Sequence, residues 1–251
     1  MTAVTVQGLT WSYQRQPILH NISLTIPAAS FATILGRNGS GKSTLLRCLS
    51  GLLPLPTGTV WIDGQDLSQI TVAARAQLLG YLPQFHAPIF PFLVRDVVVT
   101  GRASRIFLTP SRQDYQKSLE ALELLNILHL EARPYTDLSG GERQLVMIAR
   151  IVAQSPKIIL LDEPLAHLDL CNQIRLLQLL QLLTQQGKTI IAVLHDPTLA
   201  LRFGQYHLFL KDGAIASMPP NPDEYDAFLS TIYDTSLRTL SFEGNILVLP
   251  A

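Results

Sequence analysis

The segment GRNGSGKST, Gly36 to Thr44, constrains this chain more than any other. It fits G-x-x-x-x-G-K-[ST] at Gly36, Gly41, Lys42 and Ser43, a loop that requires a buried strand before it and a helix after it. Phe31 to Leu35 (FATIL) is an apolar run suited to that strand, and Thr44 to Leu49 (TLLRCL) has the spacing of an amphipathic helix. Gly36, Gly39 and Gly41 permit positive φ and close approach. Successive backbone N–H groups along Arg37, Asn38, Gly39 and Ser40 can then face one anion-sized hollow. The helix N-terminus adds partial positive charge, Lys42 can reach terminal phosphates, and the Ser43 hydroxyl is placed to ligate Mg²⁺. The expected ligand is a nucleoside triphosphate with magnesium; on this motif alone, a glycine-rich turn that only caps a helix is the alternative.

At 251 residues the chain has room for a large core, and we read one domain with an inserted lobe. Lys plus Arg and Asp plus Glu are both 19 and neither sign forms a long run, which argues against duplex nucleic acid as a partner. The mean hydropathy of +0.25 comes mainly from Leu at helical spacing, so either a large core or an apolar face docked on a partner is expected. No segment reaches the roughly 18 uninterrupted apolar residues of a membrane span. The start, MTAVTVQGLT, lacks the basic and apolar blocks of a secretory signal. Cys48 and Cys171 both fall in expected helices and read as buried thiols. A cytosolic setting is implied.

From Val4 to Ile26 apolar and polar residues alternate as in strands, and VWIDGQDL (Val60 to Leu67) gives a strand ending in an Asp-Gly turn; together they predict a small antiparallel sheet. Tyr13, between two such runs, is either an aromatic that stacks on an adenine ring or a half-buried strand residue. YLPQ (Tyr81 to Gln84) ends another strand. Thr109 and Pro110 have the look of the cap and first residue of a helix with Leu119, Leu122, Leu125 and Leu128 on one side. Residues from about Phe85 to Arg150 are expected to form a mainly helical lobe. LSGGERQ (Leu138 to Gln144) opens the next helix, where backbone N–H groups at Ser139, Gly140 and Gly141 could meet an anion or simply cap the helix. KIILLDEP (Lys157 to Pro164) is an apolar run that delivers Asp162 and Glu163 to the C-terminal edge of a parallel strand, at a burial cost that argues for function. TIIAVL (Thr189 to Leu194) places His195 and Asp196 in the same way, and YHLFLKDGAI (Tyr206 to Ile215) reads as a closing hairpin.

In this order the motifs resemble those of the ATP-binding subunit of ABC transporters along nearly the whole chain. GRNGSGKST is similar to the Walker A motif, Gln84 to the Q-loop, and LSGGE at Leu138 to Glu142 to the ABC signature. IILLDE resembles Walker B, LAHLD at Leu165 to Asp169 the D-loop, His195 the switch histidine and Tyr13 the adenine-stacking aromatic. The resemblance implies a P-loop NTPase (RecA-like) α/β core with a small antiparallel β subdomain and the helical subdomain of about 85–150 inserted. The ATPase domain would span 1–230 and a C-terminal extension 231–251. It implies ATP and Mg²⁺ as ligands. Ser43, Gln84 and Asp162 would hold the metal, Glu163 would be the general base, His195 would contact the γ-phosphate, and Gln84 would sense it. It also implies a head-to-tail dimer in which the signature Ser139, Gly140 and Gly141, with Asp169, close over ATP on the other copy. Leu165, His167 and Leu145 depart from the residues frequent at those places, which bears on dimer-face packing more than on phosphate contacts.

A single cassette resembles a bacterial importer subunit: two copies joined to two multi-span permease subunits, served by an extracytoplasmic substrate-binding protein and peripheral on the cytoplasmic face of the inner membrane. The stretch from Gln84 to Arg102, especially VRDVVVTGR (Val94 to Arg102), resembles importers of ferric siderophores, haem and cobalamin. Phe85, Phe90, Phe92 and Leu93 are candidates for a groove that receives a permease helix, or else pack within the lobe. Import of a free metal ion or oxyanion is one alternative. A soluble ABC ATPase acting on DNA or ribosomes is another, opposed by the zero net charge and the lack of a coiled-coil insertion. A module that holds nucleotide without cleaving it is opposed by Glu163 and His195.

Overall fold

The computed structural model describes residues 1–84 and 90–251. In chain order the strands and helices begin with β1 (Thr2–Tyr13), β2 (Gln16–Pro27), β3 (Phe31–Leu35), α1 (Lys42–Leu49), β4 (Val60–Ile62) and β5 (Gln65–Asp66). There follow α2 (Val72–Leu78), β6 (Leu79–Leu82), α3 (Val94–Val99), α4 (Arg112–Leu124), α5 (Gly140–Gln154), β7 (Ile158–Asp162) and α6 (Leu170–Gln185). The chain ends with β8 (Thr189–Val193), α7 (Pro197–Phe203), β9 (Tyr206–Lys211), β10 (Ala214–Ala216), α8 (Tyr225–Tyr233), β11 (Leu237–Phe242) and β12 (Asn245–Pro250). The chain divides into two compact units, residues 1–70 with 189–251, and residues 71–188.

The first unit contains an antiparallel sheet in the order β2-β1-β4-β5, as the alternating pattern predicts. Beside it β3 runs parallel to both β8 and β9, and β9 closes antiparallel on β10. Every residue of β3 and of β8 is buried, which is why both read as unbroken apolar runs rather than as alternation. The chain leaves β3 at Leu35 directly into the glycine-rich loop and α1.

In the second unit β6 pairs parallel with β7, and α5 lies close against that pair. A Cβ on Gly80 would come within 2.7 Å of Ile151 Cγ2. Gly101 approaches α5 so closely that its Cβ would stand 2.0 Å from the Arg150 carbonyl oxygen. α4 starts at Arg112, two residues beyond the Pro110 start that its sequence suggests. The reason is chemical: Ser111 and Asp114 form a reciprocal capping box, and Arg102 Nε donates to Asp114 Oδ1 at 2.6 Å. The Ser111 hydroxyl, then Arg102, lower the Asp114 pKa to about 2. The buried stripe of α4 is therefore Asp114, Ser118, Ala121 and Leu122. Leu125 is buried at the C-cap, Leu119 is only half-buried, and Leu128 lies beyond the helix and is exposed. Cys48 is buried, and burial raises its thiol pKa to about 12; Cys171 is exposed on α6, against the expectation that both are buried. Among the described residues no helix is long and apolar enough to cross a membrane.

Candidate functional site

The glycine-rich loop has the geometry its sequence requires. Gly36, Gly39 and Gly41 have φ of 142°, 82° and 103°, and Gly41 is the N-cap of α1. A Cβ on Gly36 would lie 2.1 Å from the Leu210 carbonyl oxygen, and one on Gly41 would lie 2.9 Å from Leu19 Cδ2. Lys42 is buried, and its ammonium donates to the carbonyls of Gly36 at 2.8 Å and Arg37 at 2.6 Å. A cation inside the loop, held by carbonyls, is placed for an anion that the same loop encloses. The Ser40 hydroxyl is buried with no hydrogen-bond partner from the described protein, Ser43 is half-buried at the start of α1, and Thr44 is buried. Arg37, Asn38 and Gly39 are exposed. A buried hydroxyl awaiting a partner, a buried cation and a backbone that side chains would block all fit a polyphosphate.

The other predicted residues of the first unit lie at strand ends. Tyr13 ends β1, 38% exposed, with its ring edge-to-face on Trp11 at 6.1 Å. It is therefore a partly exposed residue at a strand end. His195 is exposed between β8 and α7, and Asp196 caps α7, accepting from Thr198 N at 2.8 Å and Leu199 N at 3.2 Å.

In the second unit Gln84 is half-buried just after β6, and Phe85 lies outside the described residues. Ser139 is the N-cap of α5. Its hydroxyl accepts from Glu142 N at 3.3 Å, and the Glu142 carboxylate accepts from Ser139 N at 2.8 Å; that backbone bond first, then the Ser139 side chain, lowers the Glu142 pKa. Gly141 is required by packing: a Cβ there would meet the His167 carbonyl oxygen at 2.8 Å. The His167 side chain also lies against Gly140, so this departure from the family pattern sits on the signature turn, while Leu145 is buried on α5. Asp169 is exposed and caps α6, accepting from Asn172 N at 2.8 Å.

Asp162 ends β7 and is fully buried; Glu163 follows, half-buried, with a left-handed φ of 54°. A non-glycine residue in that conformation needs support. Gln144 supplies it. Its buried amide donates to the carbonyls of Pro164 at 3.1 Å and Glu163 at 3.4 Å. Sequence reasoning used Gln144 only to delimit a motif. The missed signal was a glutamine in register with Ile148 and Ile151, i+4 and i+7, on an otherwise apolar stripe. Among the described residues no cluster of three His, Cys, Asp or Glu could hold a metal.

The ABC transporter family model matches residues 19–166. A hemin import ATP-binding protein of Rhodococcus jostii is 35% identical over 253 aligned residues, covering 99% of this chain and 87% of its own. Among solved structures, an inward-facing metal-chelate type ABC transporter superposes with a TM-score of 0.83 at 31% identity, over 99% of this chain and 96% of that one. A dimeric ATP-binding cassette in a post-hydrolysis state, bound to ADP and Pi, superposes with a TM-score of 0.76 at 30% identity, over 85% and 97%. The α/β fold with its antiparallel β part and helices is that of these cassettes, and the chain belongs to the ATP-binding cassette ATPases of the ABC transporter family.

Proposed function

We propose that this ATPase drives import of a metal chelate of the haem, ferric siderophore or cobalamin type. The observation that carries the reading is the likeness, along essentially the full chain, to a metal-chelate type transporter and a hemin import protein. One cassette over 1–230, with a helical lobe of about 85–150 and an extension at 231–251, would pair head to tail with a second copy. Two such copies would sit beneath two multi-span permease subunits, peripheral on the cytoplasmic face of the membrane, with a binding protein delivering the chelate.

In this proposal the loop from Gly36 to Thr44 encloses the phosphates and Tyr13 stacks on adenine. Ser43, Gln84 and Asp162 would hold Mg²⁺. A hydroxyl, an amide oxygen and a carboxylate are hard oxygen donors of the kind that Mg²⁺ takes. When bound, the metal offsets charge on the phosphoryl oxygens. Glu163 takes the proton of the attacking water, His195 contacts the γ-phosphate, and Ser139, Gly140, Gly141 and Asp169 of each copy cover the nucleotide of the other.

Phe90 and Phe92 support a docking surface: they are 59% and 60% exposed, with ring centroids 5.8 Å apart. Covering each would stabilise a complex by about 1–2 kcal/mol. Phe90→Asp or Phe92→Asp should each leave ATP binding unchanged and reduce chelate uptake about five- to thirtyfold, the factor that one such contact is worth. Normal uptake by both variants would refute this surface. The substrate is tested by reconstituting the cassette with its permease and binding protein. One chelate should stimulate ATP turnover while the free metal ion and oxyanions should not; stimulation by a free ion alone would overturn chelate import.

A further inference from the structure

In the first unit the end of the chain returns to the phosphate loop. α8 is seated by Leu229 and Ile232, both fully buried, and by an edge-to-face contact of Phe228 with Phe209 of β9 at 5.0 Å. Just past α8, Asp234 pairs with Arg37 of the loop and with Lys211 at 3.1 Å, and Lys211 also donates to the Thr231 carbonyl at 2.6 Å. The Tyr233 hydroxyl is buried with no hydrogen-bond partner among the described residues, and burial, then the Asp196 charge, raises its pKa. Asp196 follows His195 and caps α7, and α7 is tied to the tail in turn: Val248 N donates to Thr198 Oγ1 at 2.9 Å. One tail therefore touches the phosphate loop at Arg37 and the His195 segment at Thr198.

We propose that the tail from Tyr225 to Pro250 is a positioning element of the nucleotide site, holding the phosphate loop and the His195 segment in register, so that tail order and ATP binding are coupled. The coupling rests on ATP binding at the loop and not on which substrate is imported. Its two ends carry different weight. Arg37 and Asp234 are 54% and 43% exposed, so solvent limits their pair to about a fivefold effect on an equilibrium. The Thr198 contact is partly buried and bears on the segment with the γ-phosphate contact, so it should govern turnover. Coupling is reciprocal: if the tail favours the binding form of the loop, MgATP must favour the ordered tail by the same factor.

The test uses the full chain. Titration of the wild type with a fluorescent ATP analogue establishes binding, and hydrogen exchange should then slow severalfold in residues 228–234 and 246–249 when MgATP is added. Asp234→Arg sets a cation against Arg37 and Lys211 and should raise KM for ATP about fivefold with kcat within about twofold, whereas Asp234→Glu restores KM. Thr198→Val keeps the shape, and kcat should fall severalfold with KM unchanged. If Asp234→Arg fails to fold, Asp234→Asn replaces it, with a KM rise of about twofold expected. Unchanged KM in a folded Asp234 variant, or tail exchange indifferent to MgATP, would overturn the coupling. A wild type that binds no nucleotide would overturn the assignment of the loop itself.

Discussion

Glu163→Gln is expected to bind MgATP with near-normal affinity and to hydrolyse it about 10²–10⁴-fold more slowly, the range for loss of a general base. The change conserves volume and removes only the proton-accepting charge, so the fold should not respond. The geometry makes the prediction sharp. Glu163 is fixed in a left-handed conformation with its carbonyl held by Gln144, so its backbone has little freedom to carry a different group into place. Single-turnover hydrolysis measures the loss, and size-exclusion with MgATP should show the variant trapped as a dimer. Undiminished turnover would put the base elsewhere.

Gly36→Ala should be the most damaging small change in the loop. The new methyl would stand 2.1 Å from the Leu210 carbonyl oxygen, a backbone atom in a central strand that cannot swing aside, at a φ of 142° that L residues rarely adopt. Backbone strain of about 1–3 kcal/mol and overpacking of similar size sum to about 4 kcal/mol. At about 2–4 °C per kcal/mol for a chain of this length, the Tm should fall by about 10 °C, with ATP binding lost in parallel. Gly39→Ala is the control. Nothing lies within 4 Å of a Cβ there, so only the left-handed φ of 82° counts, at about 1–2 kcal/mol. Thermal unfolding of both variants decides: an equal loss would mean that the Leu210 contact is not what requires Gly36.

The glycine-rich loop was legible because its conformation needs unusual residues. Glycines at positive φ and a lysine between a buried strand and a helix leave a pattern that core packing does not produce. The buried strands β3, β7 and β8 were legible for the same reason, as runs too apolar for a half-exposed sheet. The start of α4 was not read correctly, because Thr109-Pro110 and Ser111-x-x-Asp114 both look like helix starts. What decides is Arg102, ten residues upstream of α4, donating to Asp114. Cys171 misled because it lies in a leucine-rich helix, but it falls on the exposed face of α6. Gln144 and the tail contact of Asp234 were out of reach, since their partners are carbonyls or residues far away in sequence.

Attachment to a permease is tested by recovering the tagged chain from its host's membranes in mild detergent and identifying what comes with it. A multi-span permease is expected in equal amount, with MgATP turnover retained by the complex. Reproducible absence from the membrane fraction, with ribosomal or DNA-associated proteins recovered instead, would contradict the transporter assignment and make the chain a soluble ATPase of the same family.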